Sequence, residues 1–360
     1  MRLCSNVILI PALNPDDTLH VYVKELIHAG FSKIIVVDDG SDKRCKGIFE
    51  TLQQYKEVTL LRHARNFGKG RALKTGFNYF LNEWEEDPEV HGIITVDSDG
   101  QHLTKDVVKV SEALDATEYP ALFLGSRNFD YDFVPFKSRF GNKTTSSVFA
   151  FLYGKRINDT QTGLRGISKE LVCEYLTLAG ERFEYEILML MHATRKSHAI
   201  EEIPIETVYI NNNSETHFRP FVDSWKIYKV MLGGFLKYIF SSLSSSLIDI
   251  SAFRLFLFVF GGLVANAQIF IATALARIIS SMYNFLVNKK MVFESKGDFR
   301  RQMIKYYLLC ATQMLVSAGA VMLFHHMIGW NEVVEKIIVD TVLFFVSYHI
   351  QKVLVFSEEN

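Results

Sequence analysis

The chain has 360 residues, enough for two domains, and its net charge of −1 lacks the basic balance of a protein that binds nucleic acid. Its four scattered cysteines form no Cys-x-x-Cys pair, which argues against a zinc site or a disulfide framework and fits a reducing compartment. The first residues lack the apolar core of a secretory signal, so we expect the N-terminal domain to stay in the cytoplasm.

The first 130 residues alternate between predicted strands and helices. Apolar runs predict strands at 7–10, 33–37, 58–61, 92–96 and 121–124. Helices are predicted between them at about 17–29, 43–55, 69–81 and 104–116. Strands that alternate with helices of this length predict βαβ units and a mostly parallel sheet. Ligands of such sheets bind at the carboxyl ends of the strands.

The most informative motif is Asp97-Ser98-Asp99, which follows the predicted strand 92–96. Two carboxylates at this spacing, where a strand breaks into a loop, can converge on a divalent cation, and the Gln101 amide oxygen can add a ligand. Such hard oxygen ligands suit Mg²⁺ or Mn²⁺, which usually also bind phosphate oxygens of a substrate. We therefore predict a metal site at Asp97, Asp99 and Gln101 in an enzyme that uses a nucleoside diphosphate.

Two further turns lie near the predicted ligand edge of the sheet. Asp38-Asp39-Gly40-Ser41 follows a buried strand, and an aspartate there can bind a base or a ribose; an ordinary polar turn is the alternative. Asn66-Phe67-Gly68-Lys69-Gly70 matches neither the GxGxxG pattern nor the P-loop pattern. Its glycines predict a close backbone approach at a helix start, on the border of the donor site.

Basic side chains farther along are candidates for binding phosphates. Arg127 ends the motif Gly125-Ser126-Arg127, and its planar fork suits a pyrophosphate leaving group. Arg139 could hold an acceptor phosphate or lie on a solvated helix face. Arg165, His217 and Arg219 follow polar turns or loops and are further candidates for phosphate or acceptor contacts.

Glu184 precedes an apolar helix. Its carboxylate could act as a general base, or it could equally be a capping or ion-pairing residue.

The chain becomes apolar from about residue 233, with uncharged stretches such as 255–276 and 306–331 that are typical of membrane spans. We predict four spans near 235–258, 263–287, 303–326 and 333–355. Asp249, Arg254 and Arg277 interrupt the first two, and pairing within the bundle is favoured over a transport role. No internal repeat is evident.

A basic and apolar segment at 220–234 predicts an amphipathic helix at the membrane surface, with an ordinary surface helix as the alternative. The connection after the second predicted span is rich in lysine and arginine, whereas the one after the third has neither. The positive-inside rule therefore predicts that the catalytic domain and the C-terminus are cytoplasmic.

These motifs, in this order and spacing, resemble family 2 glycosyltransferases of the GT-A fold, most closely the polyprenyl-phosphate glycosyltransferases similar to dolichyl-phosphate mannose synthase. The resemblance covers about residues 5–220 and implies an α/β, Rossmann-like catalytic domain. It implies metal ligands at Asp97, Asp99 and Gln101, with Arg127 and Arg139 handling phosphates. It implies nucleotide contacts from Pro11, Leu13, Asn14, Asp38, Asp39, Asp97 and Ser98.

The chain departs from that family at two places. It has Leu13-Asn14-Pro15 where the family often has Tyr-Asn-Glu after the first proline. A late Ser-Lys pair appears here as Thr216-His217, with Arg219 nearby. These departures bear on the base or the sugar more than on the reaction.

The C-terminal part resembles the four-helix GtrA-like membrane family, most clearly where 276–281 leads into 284–293. The predicted organisation is a GT-A domain at 1–219, an interfacial helix at 220–234 and a transmembrane domain at 235–360.

The resulting hypothesis is an inverting, metal-dependent hexose transfer from a nucleoside-diphosphate sugar to a polyprenyl phosphate. Undecaprenyl phosphate is the expected acceptor, the reaction is placed at the cytoplasmic face of the cell membrane, and the product would serve modification of a cell-envelope glycan. Asp99, Arg127 and Arg139 are the expected catalytic residues, and the lipid bilayer is an expected partner. A homo-oligomer is left open.

Two alternatives remain. A processive polysaccharide synthase is disfavoured because no tryptophan follows an arginine. A membrane carrier or flippase of polyprenyl-linked sugar could coexist with catalysis.

Overall fold

The computed structural model describes residues 4–130, 134–206, 220–262 and 264–356. The chain divides into two compact units, Met1–Met231 and Leu232–Asn360.

The first unit is built on one seven-stranded sheet with the order β3-β2-β1-β4-β6-β5-β7. Its strands are β1 (Val7–Ala12), β2 (Ile34–Asp38), β3 (Val58–Arg62), β4 (Gly92–Thr95), β5 (Ala121–Arg127), β6 (Arg165–Ser168) and β7 (Ala199–Ile205). Strand β6 runs antiparallel to β4 and β5, and the other neighbouring pairs are parallel. The expected mostly parallel sheet is thus confirmed. The carboxyl ends of β1, β2, β4 and β5 lie at the same edge.

The five predicted strands are all present, and each follows from its apolar run. Ile8, Leu9, Val36 and Ile94 are fully buried, because the central strands are covered on both faces. Strands β6 and β7 were not predicted. The first is short and contains an arginine and a glycine, and the second is an edge strand with two glutamates and a proline.

Helices pack around the sheet. They are α1 (Thr18–Ala29), α2 (Lys46–Leu52), α3 (Lys69–Trp84), α4 (Thr104–Ala116), α5 (Phe136–Tyr153), α6 (Lys169–Leu176) and α7 (Glu184–Arg195). The four helices predicted before residue 120 are present, although the second begins with a short 3₁₀ turn at Lys43–Cys45. The glycine-containing loop joins the carboxyl end of β3 to the start of α3. It therefore lies at the edge of the sheet where ligands are expected to bind.

Four long helices follow: α8 (Pro220–Val259), α9 (Ala265–Val287), α10 (Phe299–Ile328) and α11 (Glu332–Ile350). Three stretches are long and apolar enough to cross a membrane: Val222–Val259, Ala265–Val292 and Phe299–Ile328. Helix α11 is not among them, so the fourth span stays a prediction. Helix α8 is continuous, and the predicted boundary between an interfacial helix at 220–234 and a first span at 235–258 falls inside it.

Two helices of the second unit end in similar short stretches. Helices α9 and α11 both widen into a π-helical turn, Asn288–Val292 and Gln351–Val355. Each turn starts with an amide side chain and a lysine and leads to a Val-Phe pair.

Matching residues of the two stretches contact each other. Asn288 Nδ2 donates a hydrogen bond to Gln351 Oε1 at 2.9 Å, and the rings of Phe293 and Phe356 stack with centroids 5.1 Å apart. Asn288 and Gln351 are both buried. Asn288 also donates to Asn284, and Gln351 to Ser347, so the amide contact belongs to a polar network that fixes how these apolar helices align.

Two of the charged residues in the first two predicted spans form an ion pair, as expected. Arg277 Nη2 lies 3.6 Å from an Asp249 carboxylate oxygen, and Ser280 Oγ donates to Asp249 at 2.8 Å. The predicted pairing within the helical unit is therefore confirmed for Asp249 and Arg277.

Candidate active site

Asp97 and Asp99 lie directly after β4, at the ligand edge of the sheet. The Lys69 ammonium is 2.7 Å from Asp97 Oδ1, and His102 Nε2 is 3.3 Å from Asp97 Oδ2. Asp99 accepts a hydrogen bond from the Gln101 backbone N–H at 3.0 Å. Both oxygens of Asp97 thus have side-chain partners, whereas the hydrogen bond to Asp99 comes from the backbone.

Lys69 joins this site to a second helix. Its ammonium also lies 3.0 Å from Glu186 Oε1, in the first turn of α7. We refer to Lys69, Asp97, Asp99, His102 and Glu186 as the Asp97 cluster. Burial lowers the pKa of Lys69, but the carboxylates of Asp97 and Glu186 raise it by more, so its pKa is above the ordinary value. Lys69 therefore remains a cation.

The two aspartates of the motif have opposite electrostatics. Burial raises the pKa of Asp97, but Lys69 and His102 more than offset this and hold its pKa well below the ordinary range. Loss of hydration and the negative charge of Asp97 raise the pKa of Asp99. The negative charge of the Asp99 carboxylate is therefore less well compensated than that of Asp97, and a bound cation would compensate it.

The donor set fits the expected divalent ion. Carboxylate oxygens from Asp97 and Asp99 and the side-chain oxygen of Gln101 are hard ligands of the kind that Mg²⁺ and Mn²⁺ prefer. The raised pKa of Asp99, caused by loss of hydration and by the neighbouring charge of Asp97, supports such a role, because a bound cation would favour the ionised carboxylate. Metal binding at these residues nevertheless stays a prediction.

Gly163 positions the Asp97 carboxylate. A Cβ atom at Gly163 would lie 2.2 Å from Asp97 Oδ2, so only glycine leaves space for this carboxylate. Thr95 Oγ1 also donates to the Gly163 carbonyl at 2.8 Å, which fixes the turn against the end of β4. The stretch 159–165 therefore supports the acidic motif from a distant part of the chain.

The two aspartates of the second acidic turn make different contacts. The Asp39 carboxylate is buried and accepts hydrogen bonds from His63 Nδ1 and from the backbone N–H groups of Phe67 and Gly68, at 2.7, 3.0 and 2.7 Å. Asp38 accepts from the Ser41 N–H at 2.8 Å. Asp39 thus holds the loop before α3 in place, and a direct contact of either aspartate with a nucleotide stays a prediction.

The glycine-containing loop makes the close approach that was predicted. A Cβ atom at Gly70 would lie 2.6 Å from Tyr185 Cβ and 2.8 Å from the Glu181 carbonyl carbon. The Arg71 N–H donates to the Glu181 carbonyl at 3.0 Å. The start of α3 therefore packs on the loop before α7, which is how Lys69 comes within reach of Glu186.

Arg127 pairs with a residue that the sequence analysis did not assign. Its Nε and Nη2 donate to the two carboxylate oxygens of the fully buried Asp159, at 2.7 and 3.2 Å. This bidentate contact uses the Nε–Nη2 edge of the guanidinium, which could otherwise bind a diphosphate. In this structure Arg127 anchors the turn after residue 158, and its role toward the leaving group stays a prediction.

Arg165 lies in the interior of the catalytic unit, and its phosphate contact stays a prediction. Arg165 is fully buried in β6, where it donates to the carbonyl oxygens of Thr162 and Glu186 at 3.0 and 2.6 Å. A buried guanidinium needs such acceptors, and here it ties the turn to α7. The sequence showed only a basic residue after a polar turn and gave no sign of its burial.

Glu184 contacts the turn that precedes α7. Its Oε1 accepts hydrogen bonds from the backbone N–H groups of Glu181 and Arg182, at 3.2 and 3.3 Å. Of the two alternatives left open, these contacts support a structural role, although through the preceding turn and not as a cap of α7.

The remaining predicted residues are distributed as follows. Pro11 lies in β1, and Leu13 and Ser98 are half-buried at the same edge of the sheet. Asn14 has a φ of 47° and accepts from the Asp42 N–H at 2.7 Å, so it joins the first loop to the second. Arg139 lies in the first turns of α5. His217 and Arg219 lie outside the described residues.

Three members of the Asp97 cluster were missed as site residues. Lys69 was visible in the glycine-containing motif at the start of a helix, and His102 follows the acidic motif. Glu186 had no local signal, because its contact with Lys69 depends on the packing of α3 and α7.

Comparisons with known proteins agree with this architecture. Residues 7–176 match the family model "Glycosyl transferase family 2", and residues 225–356 match "GtrA/DPMS, transmembrane domain". The chain is also 32% identical over 206 residues to an uncharacterized protein of Methanocaldococcus jannaschii, a match that covers 56% of this chain and 81% of the relative. The chain is a family 2 glycosyltransferase. Its GtrA/DPMS domain and apolar helices make this glycosyltransferase a membrane protein.

Two relatives named as lipid-phosphate glycosyltransferases or synthases match the catalytic part of this glycosyltransferase. A UDP-N-acetylglucosamine–dolichyl-phosphate N-acetylglucosaminyltransferase of Methanococcus voltae is 29% identical over 222 residues, covering 56% of this chain and 85% of the relative. A polyprenol monophosphomannose synthase of Mycolicibacterium smegmatis is 26% identical over 208 residues, covering 55% and 76%. The expected GT-A-type fold and membrane domain of this glycosyltransferase are thus confirmed.

Proposed function

We propose that this glycosyltransferase moves a hexose from a nucleoside-diphosphate sugar to a polyprenyl phosphate, with inversion at the anomeric carbon. The observation that carries the proposal is the Asp97 cluster, in which a poorly balanced carboxylate, Asp99, lies at the carboxyl ends of the parallel strands. Relatives named as acting on dolichyl phosphate or polyprenol support the acceptor class.

The proposed donor site lies at the shared edge of β1, β2 and β4. Asp38, Ser98 and Leu13 lie where a nucleoside would reach the ends of these strands. A divalent cation, Mg²⁺ or Mn²⁺, held by Asp97, Asp99 and Gln101, would neutralise charge on the leaving diphosphate. Lys69 keeps Asp97 ionised and fixed, because its ammonium is itself held between Asp97 and Glu186.

The acceptor needs little activation. A polyprenyl phosphate is already anionic at neutral pH, so its oxygen can attack the anomeric carbon without a strong general base. This agrees with the engagement of Glu184 in hydrogen bonds to the backbone of the turn before α7. Direct in-line attack by this oxygen on the side opposite the leaving group inverts the anomeric centre.

The membrane helices would bring the lipid phosphate to the catalytic unit. An acceptor confined to the bilayer meets the donor site by positioning rather than by a search through bulk water. The basic connection after α9 supports a cytoplasmic catalytic unit and C-terminus. Undecaprenyl phosphate is the proposed acceptor, with modification of a cell-envelope glycan as the purpose.

The test is a transfer assay with the purified full-length protein. Labelled sugar nucleotides are supplied one at a time with Mn²⁺ and undecaprenyl phosphate, and undecaprenol without phosphate is the matched control acceptor. We expect a lipid-linked product only with the phosphorylated acceptor, and loss of that product in Asp99→Asn. Absence of product with every common donor would refute the proposal.

A further inference from the structure

A second cluster of polar side chains lies on the catalytic unit, outside the Asp97 cluster. Its members are Glu174 near the end of α6, His192 in the last turns of α7 and His198 directly before β7. His192 follows Glu186 of the Asp97 cluster on α7 by about 9 Å along the helix axis. None of the three takes part in the proposed sugar transfer.

The three side chains converge on one point. Glu174 Oε2 lies 2.6 Å from His192 Nε2 and 3.2 Å from His198 Nε2. All three atoms lie within 4.8 Å of one another. In a tetrahedral zinc site with metal–ligand bonds of about 2.0–2.1 Å, neighbouring ligand atoms are about 3.3 Å apart. The observed spacing is therefore close to that of a metal-ligand set.

The backbone orients His198, and a ring contact orients His192. Ser197 has a φ of 58°, a left-handed conformation that non-glycine residues rarely adopt. The His198 N–H donates to the Ala193 carbonyl at 2.9 Å, which turns the chain back onto the end of α7. The Tyr175 ring meets the His192 ring edge-on, with centroids 5.9 Å apart. The ligand atoms are thus oriented by the surrounding fold.

We propose that Glu174, His192 and His198 bind a divalent cation of the zinc class. Two imidazole nitrogens and one carboxylate suit Zn²⁺ better than Mg²⁺ or Ca²⁺, which prefer oxygen ligands. The side chains are partly exposed, at 39% for Glu174 and 20% for each histidine, so water can complete the coordination. The ion would tie α6 and α7 to the edge strand β7 and stabilise the catalytic unit.

The sequence alone argued against zinc, because its cysteines have no ligand spacing and its histidines have no metal-ligand spacing with acidic residues. The contact of the two histidines with Glu174 depends on the turn at Ser197, which such spacings do not show. The new site does not rest on the proposed sugar transfer.

The experiment uses full-length protein in detergent, freed of metal with a chelator. An Asp99→Asn background weakens metal binding at the Asp97 cluster. Zinc chloride is titrated by calorimetry, and the thermal unfolding midpoint is followed with and without Zn²⁺. We expect one equivalent to bind and to raise the midpoint, and we expect His192→Ala and His198→Ala to weaken binding by about tenfold or more.

His91→Ala is the matched control, because His91 pairs with a single carboxylate, Asp115, at 3.0 Å. It should bind Zn²⁺ like the parent. If an alanine variant fails to fold, His198→Gln, which keeps a polar side chain, replaces it. Cobalt(II) provides a second readout, since an imidazole-bound ion gives visible absorption bands that the histidine variants should lose. The proposal is overturned if Zn²⁺ does not bind saturably, or binds equally well to the histidine variants.

Discussion

The ammonium of Lys69 lies 2.7 Å from the carboxylate of Asp97, in the same site where Asp97 is expected to help bind a metal ion. Lys69 comes from the first turn of α3, and Asp97 follows β4, so their contact joins two separate βα connections. Asp97 is therefore charged and held before any substrate binds, whereas Asp99 gains most from an added cation.

Removing the Lys69 cation should weaken both the fold and the reaction. In Lys69→Met, Asp97 and Glu186 lose the ammonium between them, and we expect the free energy of unfolding to fall by about 2 kcal/mol. Transfer should fall by about a hundredfold, because the carboxylates are no longer fixed. Thermal unfolding and the transfer assay measure the two effects. Lys24→Met, at an exposed position, is the control, and equal behaviour of the two variants would contradict this role.

Gly163→Ala should disturb Asp97 specifically. The added Cβ would meet the Asp97 carboxylate at 2.2–2.6 Å, so that side chain must move. We expect transfer to drop by about tenfold or more, since a small displacement of a positioned group is costly. Gly47→Ala is the matched control, because no atom lies within 4 Å of the new Cβ. Full activity of Gly163→Ala would show that the position of Asp97 is unimportant.

Arg127→Lys tests the two-pronged contact with Asp159. A lysine cannot make both contacts, and Asp159 is fully buried, so we expect a loss of about 1–2 kcal/mol in unfolding free energy. The control is Arg44→Lys, whose partner Asp42 is exposed and which should have little effect. Kinetics complete the test: an unchanged kcat and KM for the donor would assign Arg127 to structure alone, whereas a lower kcat would indicate a contact with the leaving group in the transition state.

Removal of metal should stop sugar transfer. Treatment with a chelator should abolish product formation, and added Mn²⁺ or Mg²⁺ should restore it to the wild-type protein. Asp99→Asn should not regain activity, because it lacks the carboxylate with the raised pKa. Product formation by the chelated wild type would exclude metal dependence.

The amide pair of the membrane unit should behave as a coupled pair. Gln351→Leu removes the hydrogen bond from the buried Asn288 amide, which keeps its contact with Asn284, and should lower the thermal midpoint in detergent, at a cost of about 1–3 kcal/mol. The double variant with Asn288→Leu removes both amides and should lose less than the sum of the two single changes. Additive losses would mean that the contact does not couple the two helices.

The sequence was sufficient for the features that local patterns specify. Apolar runs defined the five strands up to residue 124, because the apolar side chains of each strand pack against the helices that cover the sheet. Asp97-Ser98-Asp99 indicated the acidic end of β4, because residues adjacent in sequence stay close together in any fold. The long uncharged stretches likewise identified the membrane unit.

Only the tertiary structure decided the partners of these residues. Arg165 is buried on backbone carbonyls, Arg127 is held by Asp159, and Lys69 reaches Glu186. His192 and His198 meet on Glu174 through the left-handed turn at Ser197. A charged side chain has the same sequence signature whether it is solvated or buried. Its environment depends on contacts between distant segments, which are set by how the sheet and helices pack.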